Sequence, residues 1–239
     1  MAPYTKSYLK RSLGNKPDNR VIYYMAEGTV TETGFLRDLF SKNSFFNKCS
    51  FSFQIVNRTG KELGKNGLEQ MINAMLEQVI NKPSFKKGKD KAVIIFDLDR
   101  YVTDKDYVNS LIAKYKDNIL FVYSYPSFDL FLLLADHGNY EKIIEPHMKE
   151  IMANNYYDEI NKIRMIPGLL KEKYSIDVKC GTTDFKYFVD RIENCCANES
   201  AFIENHLDDF GNRLISNVGR VLKHLQNDNV EMEYYRKKK

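Results

Sequence analysis

The chain has 239 residues, enough for one α/β domain with a helical extension or for two small domains. With 43% hydrophobic residues and 13% aromatic ones it is too apolar to be an intrinsically disordered chain. The formal net charge is only +4, so composition by itself does not argue for nucleic acid, although basic residues gather near the N-terminus, at 82–91 and at the extreme C-terminus.

Residues 1–20 are polar and basic, carry Gly14 and Pro17, and are expected to form a flexible arm. The start, MAPYTKSYLKR, lacks the apolar stretch of a signal peptide. VIYYMA (21–26) has strand length and β-favouring residues and runs into Glu27-Gly28. Thr29 or Thr31 is placed to cap the helix announced by Phe35, Leu36, Leu39 and Phe40. SFSFQIVNR (50–58) alternates as a second strand, and Gly60, Gly64 and Gly67 punctuate the connection after it. Leu68, Met71, Ile72, Met75, Leu76, Val79 and Ile80 predict an amphipathic helix. A charged loop, KPSFKKGKDK (82–91), leads into AVIIFDLD (92–99), whose unbroken apolar run suits a strand covered on both faces. A helix through Val108, Leu111 and Ile112, a strand NILFVYSY (118–125) and a buried helix PSFDLFLLLAD (126–136) follow. The β-α alternation implies a parallel, right-handed α/β sheet. Beyond residue 138 the strand signals mostly stop. Residues 139–165 and 183–208 read as helical, and a last helix passes through Val218, Val221, Leu222 and Leu225. The expected organisation is a basic arm (1–20), an α/β core (21–137) and a mostly helical part (138–239) packing on that core.

Cys49, Cys180, Cys195 and Cys196 lack zinc-site spacing and are expected to be reduced and mostly packed. The longest apolar block, around Leu130–Ala135, is far too short to span a bilayer. A cytoplasmic protein without membrane contact is expected.

Ligands of open parallel sheets sit beyond the carboxyl ends of the strands. Two strands here finish in acid, one at Glu27 and one at Asp97 and Asp99. Residues i and i+2 of an extended segment point to one side, so Asp97 and Asp99 are expected to face a common point. Crowded carboxylates stay ionised only beside a cation, and magnesium suits an oxygen-only, partly open site. Glu27 would handle a proton or add a ligand. The plainer alternative for a strand-end Asp is a turn former or helix cap.

Three segments, YYMAEGTVTETGFL (23–36), VIIFDLDRYV (93–102) and YSYPSFDLFLLLAD (123–136), resemble in order and spacing the RloB family of bacterial defence-associated proteins, which carry a TOPRIM-like domain. Glu27-Gly28 with Thr31-Glu32 matches its Glu-Gly turn, and Asp97 and Asp99 match its Asp-x-Asp strand end. Ser124 to Asp129 matches its Ser-Asn-Pro-x-Phe-Glu motif, and Ser216-Asn217-Val218 matches its closing segment. Tyr125 stands where the family usually has Asn, Asp129 where it has Glu, and Ala135 where a His is common, with His137 two residues on. The resemblance implies a TOPRIM-like parallel sheet flanked by helices. It also implies a metal site of Glu27, Asp97 and Asp99 for Mg2+, with Mn2+ able to substitute, and a nuclease acting on DNA, RNA or tRNA in phage defence. An ABC-type ATPase partner belongs to that expectation, and a homodimer is compatible with it.

Around this triad, Asp129 stands either to extend the site or to offset a helix dipole. Glu32 is a second acid of the first loop, or a solvated helix-start acid. Ser124 offers a phosphate contact or a backbone cap, and Arg100 a phosphate clamp. Lys87 and Lys89 are phosphate-backbone candidates if not simply a solvated loop. His137 is the one histidine near the Asp129 helix. Two other functions compete with the nuclease. One is a non-catalytic subunit of a defence complex. The other is a haloacid-dehalogenase-like phosphatase, suggested by Asp97-Leu98-Asp99-Arg100-Tyr101-Val102, in which Tyr101 replaces the usual Thr and no later Gly-Asp-x-x-x-Asp follows.

Overall fold

A computed structural model describes residues 20–42, 44–46, 51–57 and 67–227. Residues 1–19 of the expected basic arm, Cys49, and Gly60 and Gly64 of the glycine-punctuated connection lie outside these residues. Four parallel strands form most of one sheet: β1 (Arg20–Ala26), β2 (Phe51–Ile55), β3 (Lys91–Asp97) and β4 (Leu120–Tyr125). Their order is β2-β1-β3-β4. A two-residue strand near the end of the chain (Ile215–Ser216) closes the β4 side antiparallel.

The chain steps outward from β1 to β2 through α1 (Thr31–Lys42), then returns past β1 through α2 (Gly67–Met75) to build β3, α3 (Lys105–Tyr115) and β4. The order therefore reverses between β1 and β3, and parallel α/β sheets leave a crevice at such a point. The run AVIIF is apolar on both sides because both faces are covered. Val93 and Ile95 pack with α1 and the later helices, while Ala92, Ile94 and Phe96 pack with α2 and α3. The stripe predicted over 68–80 is buried as expected, but its last turn, Leu76–Ile80, widens to a π-helical one. No helix among the described residues is long and apolar enough to cross a membrane.

After β4 come α4 (Asp129–Leu133), a π-helical turn (Tyr140–Ile144) and α5 (Met148–Met152). Residues 139–165 are not helical throughout, as the sequence suggested. A small antiparallel hairpin of β5 (Tyr156–Asp158) and β6 (Ile163–Arg164) stands there instead. Asp158 accepts the Ile160 and Asn161 backbone N–H groups, a turn-forming pattern that competes with a helix. Next are α6 (Met165–Tyr174), α7 (Lys186–Val189), α8 (Ile192–Phe202), β7 (Ile215–Ser216) and α9 (Val218–Asn227). Leu170, Phe188, Cys195, Val221 and Leu222 share one apolar cluster with Ile22, Val93 and Val122, so the C-terminal half packs on the sheet. Cys195 and Cys196 are buried as expected, whereas Cys180 is exposed.

The closing segment is held by polar groups. Asn217 Oδ1 accepts the Tyr123 N–H at 2.8 Å, its Nδ2 donates to Phe121 O at 2.9 Å, and its backbone N–H donates to Tyr123 O. The side chain thus continues the ladder that β7 begins. Ser216 Oγ and the Arg220 N–H donate to the buried Glu199 carboxylate, which sits over the first turn of α9. Burial pushes this carboxyl from its ordinary 4.5 up to about 7, against the pull of those hydrogen bonds.

Replacing Asn217 with Leu removes two backbone partners at once and should cost about 2–4 kcal/mol in urea unfolding. A loss below about 1 kcal/mol would show that the sheet edge closes without it. Glu199 generates a pH dependence of known sign. Its folded pKa lies above the unfolded one, so the native state holds the extra proton and stability falls as pH rises from about 4.5 through about 7. Glu199→Gln should flatten that slope by an amount of order 3 kcal/mol across the window, read from denaturant midpoints at several pH values.

Candidate active site

The crevice at the switch point is built by the ends of β1 and β3. The Glu27 N–H donates to Ile95 O at 2.8 Å, which carries the parallel pairing one residue past β1. Glu27 Oε2 then accepts the Asp97 N–H at 3.3 Å, and Oε1 pairs with Arg100 Nη1 at 2.9 Å. Asp97 closes β3 opposite Ser124, and its Oδ1 accepts the Phe128 N–H at 2.8 Å. That bond brings the start of α4, and with it Asp129, beside the acid of β3. Asp129 is 1% exposed. Its Oδ2 pairs with Lys179 Nζ at 2.8 Å, while its buried Oδ1 meets no hydrogen-bond donor among the described residues.

Asp99 reaches the crevice by a different route from the one its spacing suggested. The strand ends at Asp97, Leu98 turns to helical dihedrals, and Asp99 opens a 3-10 turn through Tyr101. Strand alternation therefore does not orient it. Its Oδ2 instead accepts Asn154 Nδ2 at 3.3 Å. Glu32, in the first turn of α1, is buried and lies across Gly28, where any Cβ would overlap its carboxylate. Glycine is needed there for that close approach. Thr31, one of the two threonines expected as a helix cap, is turned elsewhere. Its Oγ1 donates to Val178 O at 2.9 Å and accepts from Lys179 Nζ at 3.2 Å, tying the loop after α6 to this turn.

The result is an open cleft of about 260 Å³ lined by the Glu27–Glu32 turn, Asp97, Asp99, Arg100 and Lys179. Its electrostatics follow from crowding. Burial raises the Asp97 carboxyl well above the usual range, and Glu32, Asp129, Glu27 and Asp99 raise it further. Glu32 is raised by burial and then by Asp129. Asp99 is raised by burial despite Arg100 and Arg164. At Lys179, burial works against the ammonium, but Asp129, Glu32 and Asp97 outweigh it and its pKa rises. The side chain is half exposed and keeps its charge.

An all-oxygen set of this kind matches the donor preference of a hard divalent cation. The proton-hungry Asp97 and the unmatched Asp129 Oδ1 both call for more positive charge than the cleft contains. Among the described residues, however, no three acid, imidazole or thiol groups are already gathered as metal ligands. Glu27 is turned to Arg100, Asp99 to Asn154 and Asp129 to Lys179. These pairings have to loosen before Glu27, Asp97 and Asp99 share one ion.

Five residues expected at the site from sequence, Glu27, Glu32, Asp97, Asp99 and Asp129, are thus brought together, with Arg100 beside them. Four others are not. Lys87 and Lys89 precede β3, so they stand at its amino end, about 20 Å of strand from Asp97. Ser124 is 1% exposed, out of reach of a substrate, and its carbonyl accepts the Leu98 N–H. His137 is exposed beyond the far end of α4. Lys179 and Asn154 were missed. Each lies in an irregular stretch with no periodic or motif signal, and each reaches the cleft from far along the chain.

Lys179→Met would leave Asp129 and Glu32 without their counter-charge. The pair is buried on one side and open on the other, so the loss of stability should fall near 2 kcal/mol at neutral pH, between exposed and buried pairs. It should shrink in acid, where protonated carboxyls need no partner, and denaturant titrations at mildly acidic and mildly alkaline pH measure the difference.

Comparison with curated proteins and with solved structures finds no match. A family model described as RloB-like protein matches residues 22–225, which takes in most of β1, the whole cleft and α9 almost to its end. The chain is a member of the RloB-like family.

Proposed function

We propose that the chain is a magnesium-dependent phosphodiesterase of the TOPRIM type that cleaves nucleic acid, and that the cleft between β1 and β3 is its active site. One observation carries the reading. Glu27, Glu32, Asp97 and Asp99 line one open crevice with Asp129 buried behind them, flanked by the half-exposed cations Arg100 and Lys179. Carboxylates alone would repel a phosphodiester. With a divalent ion held by Glu27, Asp97 and Asp99, the same crevice becomes a phosphate site.

The bound ion, Mg2+ or Mn2+, would supply charge for the phosphoryl oxygens and the leaving oxygen. The chain's own residues do the rest. Arg100 and Lys179 are each poised to exchange a carboxylate for a phosphate oxygen, Arg100 in a forked geometry and Lys179 as a point charge. Asp129 stands buried behind the cleft wall, where its carboxylate holds Lys179 beside Asp97 and Glu32. The Phe128 N–H holds Asp97 in place, and Asn154 holds Asp99. The role in phage defence beside an ABC-type ATPase rests on the family resemblance.

A second reading has an observation of its own. Glu27 and Asp129 are already paired with Arg100 and Lys179, so the acids are partly neutralised without any metal, as a binding subunit would require. One variant separates the two. Asp97→Asn should abolish Mn2+ binding in calorimetry and reduce cleavage of DNA, RNA or tRNA by about 10²-fold or more, as loss of a key charge-stabilising group does. Unaltered cleavage by the variant, or intact substrates with the wild-type chain and its ATPase partner, would favour the binding subunit.

A further inference from the structure

Large apolar side chains exposed to solvent are few among the described residues, and three of them, Tyr156, Tyr157 and Ile160, belong to the β5–β6 hairpin. This hairpin is held by hydrogen bonds along its length. At its root Arg164 Nη1 donates to Asn154 O at 2.6 Å, and the Met165 N–H donates to Asn155 O at 2.9 Å. On its flank the Tyr157 ring covers Gly168 of α6, where a Cβ would overlap it, and Tyr157 OH donates to Glu172. At its tip Asp158 gathers three donors, from the Ile160 and Asn161 backbones and the Asn161 side chain. The turn so fixed leaves Ile160 91% exposed.

The other exposed ring, Tyr156, carries two cations. The Arg164 guanidinium lies 4.2 Å and Lys162 Nζ 5.0 Å from its centroid. The root residue Asn154 is the one that donates to Asp99 in the cleft. The hairpin that carries this cation-backed ring is thus joined at its root to Asp99, and Arg164 is near enough to lower the Asp99 pKa.

We propose that the hairpin is the docking arm for an unpaired stretch of nucleic acid. A base stacks at Tyr156, Lys162 and Arg164 meet the backbone phosphates, and Ile160 lies against the neighbouring base. The chemistry selects this occupant. Aromatic rings bind any exposed base face, adjacent cations match one phosphate per nucleotide, and a paired base offers no free face to the ring. The proposal rests on the reading of the cleft as a phosphodiester site and adds to it a preference for single strands.

The test is binding rather than turnover. Fluorescence anisotropy of labelled single-stranded and duplex oligonucleotides is followed with the full chain in calcium. The wild-type chain should prefer the single strand. Tyr156→Ala should weaken single-strand binding roughly tenfold and duplex binding little, whereas Tyr156→Phe should retain affinity. Lys162→Ala should lower the slope of log affinity against log salt by about one phosphate contact. Equal affinity of wild type and Tyr156→Ala, an equal loss on both substrates, or no binding by the wild-type chain overturns the proposal. Single-strand binding through Tyr156 in a chain that cleaves nothing would uphold the arm and reject the nuclease.

Discussion

The arrangement turns on a concentration of negative charge in a poorly solvated place. Asp97 stands at the end of a central strand, partly buried, with four other carboxylates near enough to raise its pKa. Such a cluster is unfavourable unless donors and cations surround it. Much of the surrounding structure answers that need. The Phe128 N–H faces one oxygen of Asp97, Arg100 answers Glu27, and Lys179 answers Asp129. Gly28 lacks a side chain so that Glu32 can come in at all. The sheet supplies the frame, because only the reversal between β1 and β3 leaves two neighbouring strand ends open on the same side.

The same constraint explains why the C-terminal half is bound to the core so closely. It brings Lys179 on the loop after α6 and Asn154 on the approach to the hairpin, and both bond to acids of the first half. Thr31 and Asp38 on α1 take part as well, the first bonding to Val178 O and the second accepting the Phe185 N–H. Those polar links cross an apolar contact in which Phe185 lies against Gly34 of α1. A single body holds the acids and their counter-charges.

Elements buried on two faces were legible in the sequence because burial leaves its mark on every residue. AVIIF reads as a central strand for that reason, whereas the 68–80 stripe reads as a helix because its one buried face repeats at helical spacing. The acids were legible from strand ends together with the family motifs. Misreadings came where sequence nearness and spatial nearness part. Lys87 and Lys89 lie close in sequence to the Asp-x-Asp strand, yet a strand has two ends and they enter at the wrong one. The hairpin was read as helix because its strands are three and two residues long and mostly exposed, too short for an alternation to show. Lys179 meets Thr31 across 148 positions, and nothing local in a solvent-facing loop announces such a partner.

The closing segment makes a distant stretch responsible for the sheet margin. β4 gains outer partners from residues 215–217, where Asn217 meets Tyr123 N–H and Phe121 O. Ser124, which receives Leu98 and so anchors the bend that carries Asp99, lies on that same strand. A chain cut before residue 215 would therefore lose the clamp on the strand that seats Leu98 and, through it, the bend carrying Asp99.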